Sequence, residues 1–236
     1  MVNNNIIFRQ MFDSESSTFT YILADPLSQE GVVIDPVLEK VERDLKIINE
    51  LNIKLKYILE THVHADHITG AYELKQKTGA QIALGASAQV SCADINLLDG
   101  EELSFGAFKI KALFTPGHTE GCTTYIVNNM AFTGDTLLIR GNGRTDFQGG
   151  SAETLYKSIT EKLFTLPDET LIYPAHNYVG LHQTSVGEEK AHNPRIGNGK
   201  SCSEFVDIMN NLKLAHPKKI AESLPANKNC GRISDK

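Results

Sequence analysis

Three imidazoles and one carboxylate stand within six residues of this chain, in the string Thr61-His62-Val63-His64-Ala65-Asp66-His67. Burying that many polar groups without partners costs about 1–3 kcal/mol each. A fold built around this segment therefore has to bring it a shared partner, and a metal ion satisfies all four side chains at once. More donors follow downstream, in Pro116-Gly117-His118, Gly134-Asp135 and Pro174-Ala175-His176. Together they form a split metal-binding constellation. The remaining histidines, His182, His192 and His216, stand alone and read as ordinary structural or surface residues.

Each donor follows an apolar run that reads as a strand. Leu55–Leu59 leads into the His cluster, Phe108–Phe114 to His118, Met130–Thr133 to Asp135, and Leu171–Tyr173 to His176. Strand ends fix loop side chains on a rigid frame, and functional groups favour such loops. Further strands are expected over Ile6–Phe12, Thr18–Leu23, Gly31–Ile34, Glu101–Phe105 and Thr123–Val127, the last in a hairpin with Met130–Thr133. Helical spacing marks Glu39–Leu51 through Val41, Leu45, Ile48 and Leu51. Helices are also expected over Ile68–Lys77, stopped by Gly79, over Ser151–Phe164 with Ser151 as N-cap, and over Ser203–Leu214. Two groups of strands with helices nearby predict an α+β fold, with two sheets face to face and helices outside. Residues 1–236 are expected to form one domain, with residues about 180–236 as a C-terminal extension packed on it.

A chain of 236 residues that is 41% hydrophobic can bury a sizeable core. Its formal net charge of −6 and the lack of a basic stripe argue against a nucleic-acid partner. The densest cationic run, His216-Pro217-Lys218-Lys219, reads as solvated surface. Cys92, Cys122, Cys202 and Cys230 lie far apart, with no CxxC pair. So few cysteines in a chain this long argue against a disulfide framework and for a reducing compartment. The N-terminus has no long apolar stretch or Arg/Ser-rich presequence, and no run is long enough to span a bilayer. A cytoplasmic protein without membrane contact is expected.

The order HxHxDH, single His, Asp, last His resembles the metallo-β-lactamase superfamily over roughly residues 5 to 180. That resemblance implies a four-layer αββα sandwich of two mixed sheets flanked by helices, with a metal at one edge. A narrower similarity, to the persulfide dioxygenases (sulfur dioxygenases), is carried by Arg9-Gln10-Met11-Phe12, Ile34-Asp35-Pro36-Val37, Thr61 to Gly70, Ala131-Phe132-Thr133-Gly134-Asp135, Leu137 to Gly149, Leu171 to His176, Asn193-Pro194-Arg195 and Pro225-Ala226-Asn227. Some members carry Cys where this chain has Asn142, so no thiol role carries over there.

The resemblance implies a mononuclear iron(II) enzyme that oxidises glutathione persulfide with O2 to sulfite and glutathione. Its ligands would be His62, His118 and Asp135, which are also the catalytic residues. His64, Asp66, His67 and His176 would stand beside the site without binding iron. Two His and one carboxylate on one face of Fe(II) leave positions open for other ligands, whereas Zn2+ has no redox chemistry. Arg144 and Arg195 are candidates for the glutathione carboxylates, through paired hydrogen bonds, with a structural ion pair as the alternative for each. Tyr178 is a candidate substrate contact, and Asp146 reads as a loop organiser. A homodimer is implied, and any sulfurtransferase partner would be a separate protein.

The rival reading is a two-zinc thiolester hydrolase resembling glyoxalase II. There His62, His64, His118 and Asp135 would hold one zinc, and Asp66, His67, His176 and Asp135 the other, with a metal-activated water attacking the thiolester. The longer family strings favour the dioxygenase. A β-lactam hydrolase lacks its ligand variants here, a nuclease lacks a basic stripe, and the intact donor set argues against a module that has lost catalysis.

Overall fold

The computed structural model describes residues 5–215 and 219–233. Two six-stranded mixed sheets form its centre. The first runs in sequence order: β1 (Ile7–Asp13), β2 (Thr18–Ala24), β3 (Glu30–Ile34), β4 (Lys54–Leu59), β5 (Gln81–Gly85) and β6 (Ile95–Leu97). Its first three strands pair antiparallel and the rest parallel. The second sheet holds β7 (Glu102–Phe105), β8 (Phe108–Phe114), β9 (Thr123–Val127), β10 (Met130–Gly134), β11 (Leu171–Pro174) and β12 (Thr184–Ser185), also in sequence order. All its pairs are antiparallel except β10 with β11.

Period-2 alternation explains why both sheets carry helices on their outer faces. On β2, Phe19, Tyr21 and Leu23 enter the layer between the sheets, where they meet Phe105, Tyr125, Phe132 and Tyr173. Ile22 and Ala24 point the other way, toward α1 (Val41–Glu50) and α2 (Ala71–Thr78), and share a second core with Val41, Ile48, Ala71 and Leu74. On the far side, Ala131 and Ile172 pack against α3 (Ala152–Lys157), α4 (Val186–His192) and α5 (Cys202–Asn210) through Leu155, Val186, Phe205 and Met209. The result is the expected αββα order; beyond residue 180, α4 and α5 lie on the second sheet, while Leu224 and Cys230 join the helical core on the first.

Several elements depart from the sequence reading. β5 and β6 were not foreseen, nor were β12, α4 and α6 (Ile220–Asn227), which keeps Pro225 inside it. The helix expected from Ile68 starts at Ala71, because Ile68, Thr69 and Gly70 are held by other contacts: Leu38 N donates to Ile68 O and Gly70 N to Pro36 O. Ser151 is an N-cap as expected and accepts from Thr154 N. Beyond Lys157 that helix continues as a π-helical stretch to Leu163. The helix expected over Ser203–Leu214 runs over Cys202–Asn210, with a capping box from Ser201 and Glu204.

The expectation that disulfides play no part is corrected. Cys92 and Cys230 form a disulfide across 138 residues of sequence. The C-terminal segment returns along α2, where Tyr72 N donates to Cys230 O, and so brings the two thiols together. Sequence spacing carries no trace of that return. The pairing also removes the ground on which a reducing compartment was expected. Of the cationic run at 216–219 only Lys219 is described, and it pairs with Glu15 and Glu39; His216 lies outside the described residues. Among the described residues no helix is long and apolar enough to cross a membrane.

Candidate metal centre

The two sheets are stitched together at the edge where the donors emerge. Thr123 N donates to Thr61 O at 2.8 Å, and Phe19 N to Ala175 O at 2.7 Å. The Tyr125 hydroxyl donates to Glu60 O at 2.9 Å, and that of Tyr21 to Pro174 O at 2.6 Å. The loops after β4, β8, β10 and β11 therefore open onto one spot.

The His cluster is fixed from behind by Asp35, which follows β3. Its carboxylate accepts from Thr61 N at 2.7 Å and from the Thr61 hydroxyl at 2.8 Å. His64 Nε2 lies 3.1 Å from the same carboxylate and 3.4 Å from Glu60 Oε2. Glu60 in turn accepts from the Thr69 hydroxyl. Asn227 closes the loop from the other side, donating from Nδ2 to His64 O and His67 O, both at 2.8 Å.

His118 is oriented by the loop that follows Asp135. Its Nδ1 lies 2.6 Å from Arg144 O. A carbonyl only accepts, so Nδ1 carries the proton and Nε2 keeps a lone pair. Gly143 N donates to Asp135 O at 2.6 Å, which ties the two donors to one loop. Gly134 holds Asp135 in place at φ +53°, and a Cβ there would come within 2.6 Å of Thr61 Oγ1. His176 donates from Nδ1 to Ser17 O at 3.2 Å. That turns its Nε2 toward Asp66 (3.6 Å) and Asp135 (3.7 Å).

Ligand-capable atoms of His62, His118 and Asp135 all lie within 4.8 Å of one another. Those of His64, Asp66 and His67 form a second such group. His64 Nδ1, His67 Nε2 and Asp135 Oδ1 are buried without a hydrogen-bond partner. The unpartnered His67 nitrogen and Asp135 carboxylate oxygen, beside the group formed by His62, His118 and Asp135, fit a bound transition metal.

Charge divides the donors. Burial, followed by neighbouring His64, His118 and His176, pushes His62 well below the ordinary imidazole range, which leaves it a neutral donor. Burial also lowers His67. His64 goes the other way: burial opposes its charge, but the Asp35 and Glu60 carboxylates hold it well above the ordinary range. Asp66 is held well below the carboxylate range; burial works against this, and His176 and His67 outweigh it. Burial raises Glu60 to about 7.

The substrate candidates separate clearly. Arg144 makes a two-pronged pair with Asp146, 2.6 Å on each arm, and donates to Ala215 O. Asp146 thus organises its loop, as the sequence suggested. Arg195 donates to Asn142 O at 2.7 Å, and no carboxylate partner is seen for it among the described residues. Tyr178 is 73% exposed, and its ring stacks on His176 at 6.1 Å. Asn142 is buried against Met209. Sequence reasoning gave no role to Asp35, Glu60 or Asn227. The first two show only as acidic residues at strand ends, and Asn227 acts from far along the chain.

The metallo-beta-lactamase superfamily model matches residues 15–92 and 85–176. Persulfide dioxygenase ETHE1, mitochondrial, of Homo sapiens is 50% identical over 228 residues, 96% of this chain and 89% of that protein. The crystal structure of ETHE1 from Myxococcus xanthus superposes with a TM-score of 0.93 at 51% identity, covering 96% of this chain and all of that one. This chain belongs to the persulfide dioxygenase family of the metallo-beta-lactamase superfamily. Weaker likeness extends to a beta-lactamase hydrolase-like protein of Xylella fastidiosa, 32% identical over 95% of this chain but only 60% of that protein. Membership in the persulfide dioxygenase family agrees with the architecture: both mixed sheets, the flanking helices and the donor order are those the resemblance implied.

Proposed function

We propose that this chain oxidises glutathione persulfide with O2 and one water to glutathione and sulfite, using a single iron(II) held by His62, His118 and Asp135. The observation that carries the reading is the 50% identity to a persulfide dioxygenase over 96% of the chain. The reaction balances as GSSH + O2 + H2O giving GSH, SO3 2− and two protons. The outer sulfur gives up four electrons and O2 takes them. Bound iron(II) supplies redox chemistry toward O2 that zinc lacks.

The residues around it orient and charge-balance the site. Arg144 O fixes the His118 tautomer, so Nε2 faces the metal position. The second donor group is largely satisfied from within, with His67 Nδ1 3.0 Å from Asp66 and His64 clasped by Asp35 and Glu60. That internal pairing supports one metal rather than two. His176 and Asp66 then shape the field around the reacting sulfur, and the Tyr178 ring walls the entrance. Arg195, lacking a carboxylate, is the cation available for glutathione, whereas Arg144 would have to exchange Asp146 for it. We extend the reading to a homodimer of one-domain chains served by a separate sulfurtransferase.

The hydrolase reading keeps one observation in its favour: His64 Nδ1, His67 Nε2 and Asp135 Oδ1 all lack a hydrogen-bond partner, and in that reading His64 would serve the first zinc, His67 the second and Asp135 both. The test is oxygen uptake by anaerobically iron-loaded protein given glutathione persulfide, with sulfite assayed alongside. Uptake matched by sulfite is expected. No uptake, with thiolester hydrolysis by zinc-loaded protein, would replace the dioxygenase by the hydrolase.

A further inference from the structure

Asn227 sits at the end of α6, remote in sequence from every donor, yet it is buried and makes three hydrogen bonds to the metal loop. Its Nδ2 donates to His64 O and His67 O at 2.8 Å each, and its Oδ1 accepts from Thr69 N at 2.9 Å. These are loop backbone groups that no strand pairs. One amide thus fixes both ends of the segment that carries His64, Asp66 and His67, and with it the turn that presents His62. The approach is close: Gly231 stands at φ +84°, and a Cβ there would lie 2.1 Å from Thr69 O.

Beyond its own hydrogen bonds, Asn227 is held through few non-covalent contacts, such as Tyr72 N to Cys230 O and Lys219 to Glu15 and Glu39, and one covalent link. α6 is short and contains Pro225, and it adds only the half-buried Leu224 to the core around α2. The disulfide Cys92–Cys230, three residues beyond Asn227, joins this end to the segment between β5 and β6. A cavity of about 250 Å3 opens beside it, lined by Tyr72, Lys75, Gln76, Cys92 and Arg232 among others, so small solutes can approach the sulfurs.

We propose that Asn227 is a positioning residue for the metal loop and that the Cys92–Cys230 disulfide keeps it seated, which makes metal retention depend on the thiol state of the pair. Reduction takes two equivalents of a small thiol. The first attacks the disulfide and forms a mixed disulfide, and the second displaces it. Cys92 and Cys230 leave as thiols, and the reductant leaves as its own disulfide. α6 then keeps only its packing and non-covalent bonds, among them Tyr72 N to Cys230 O and Lys219 to Glu15 and Glu39, and Asn227 spends part of its time away from the loop carbonyls. The inference rests on His62, His118 and Asp135 being the ligands.

The test follows loss of Zn2+ from full-length protein to a chelator, together with the visible spectrum of the Co2+ form. Oxidised wild type, wild type reduced with a small thiol that is then removed without air, Cys92→Ser, Asn227→Ala and Asn227→Asp are compared. Direct hydrogen-bond partners of a ligand change metal affinity by about 10–100-fold; Asn227 acts one step further out, through the loop that presents His62, so faster loss toward the low end of that range, about tenfold, is expected for both Asn227 variants. Reduction and Cys92→Ser should each give a smaller acceleration and a shifted Co2+ spectrum. Reduction should add nothing in Asn227→Ala, because the tether acts through that side chain. Unchanged loss and spectrum on reduction and in Cys92→Ser would overturn the inference. So would an equal response to reduction in wild type and Asn227→Ala. A wild type that binds neither Zn2+ nor Co2+ would instead overturn the ligand assignment itself.

Discussion

Gly143→Ala should damage the metal centre without touching a ligand. A Cβ built on Gly143 would lie 2.6 Å from Asp135 O, 2.7 Å from His118 Cγ and 2.8 Å from His118 Nδ1. Ordinary contact begins near 3.4 Å, so the His118 ring has to retreat by about 0.7 Å. It cannot swing freely, because Nδ1 is anchored on Arg144 O and the Asp135 carbonyl is held by Gly143 N itself. Metal–ligand distances tolerate only about 0.2 Å, and a misplacement of about 1 Å can cost a hundredfold in rate. The expected loss is therefore about one to two orders of magnitude in iron affinity and in oxygen uptake. Overpacking of this size costs about 1–3 kcal/mol of stability, a few degrees in Tm for each kcal/mol at this chain length, so the variant should still fold. Gly141→Ala serves as the control in the same loop, since its Cβ meets nothing nearer than 3.9 Å. Iron per chain after desalting and initial oxygen uptake are the measurements. If Gly143→Ala matches Gly141→Ala in both, the loop does not set the position of His118 and the reasoning fails.

Three further outcomes are expected. His118→Ala and Asp135→Ala should each abolish iron retention and oxygen uptake, and normal iron content in either would remove that residue from the ligand set. Arg195→Ala should raise the KM for glutathione persulfide about tenfold or more, the worth of a charge-assisted hydrogen bond, while Arg144→Ala acts less on KM because its charge is already spent on Asp146; equal effects would place both arginines on substrate. Burial raises Asp44 to about 6, above its ordinary value, so the folded state binds the extra proton and stability falls as pH rises from about 4 to about 6. That decline is worth up to about 3 kcal/mol and should be missing in Asp44→Asn; parallel urea-unfolding midpoints for the two proteins across that range would refute it.

What the sequence disclosed and what it hid follow from the range of the interactions. β8 is marked by its alternation of buried and exposed residues, and the buried β2, β9 and β10 by β-branched or aromatic side chains and a turn signal between the last two. β5, Gln81-Ile82-Ala83-Leu84-Gly85, was missed because it has no aromatic residue and only one β-branched one. Ile82, Ala83, Leu84 and Gly85 are all buried, so no alternation distinguishes the run. α6 was missed because Pro225 argues locally against a helix, and packing over α2 overrides that preference. Among the donors, residue type and order nominated the whole set, and only the family resemblance singled out His62, His118 and Asp135. Type and order were not enough to separate ligands from neighbours, because that distinction lies in partners such as Asp35 and Glu60 around His64, which only folding brings within reach. The disulfide and Asn227 are the extreme case, since both act over more than a hundred residues of chain.

The donors are also divided between the two sheets, with a consequence for stability. His62 follows β4 in the first sheet, while His118, Asp135 and His176 follow β8, β10 and β11 in the second. Cross-sheet hydrogen bonds run beside the site, from Thr123 N to Thr61 O and from Phe19 N to Ala175 O. Under the proposed ligand set, a metal held by His62 on one side and by His118 and Asp135 on the other would act as one more bond across the same seam. Because it binds the folded state and finds no preformed site in the unfolded chain, its binding free energy adds to folding stability. The stabilisation should be concentrated where the sheets meet. In the metal-bound protein, hydrogen exchange should slow most at the amides of Thr123 and Phe19, and least on β1 and β12, which stand at sheet edges. Uniform slowing across both sheets would mean that metal binding stabilises the chain globally without clamping the seam.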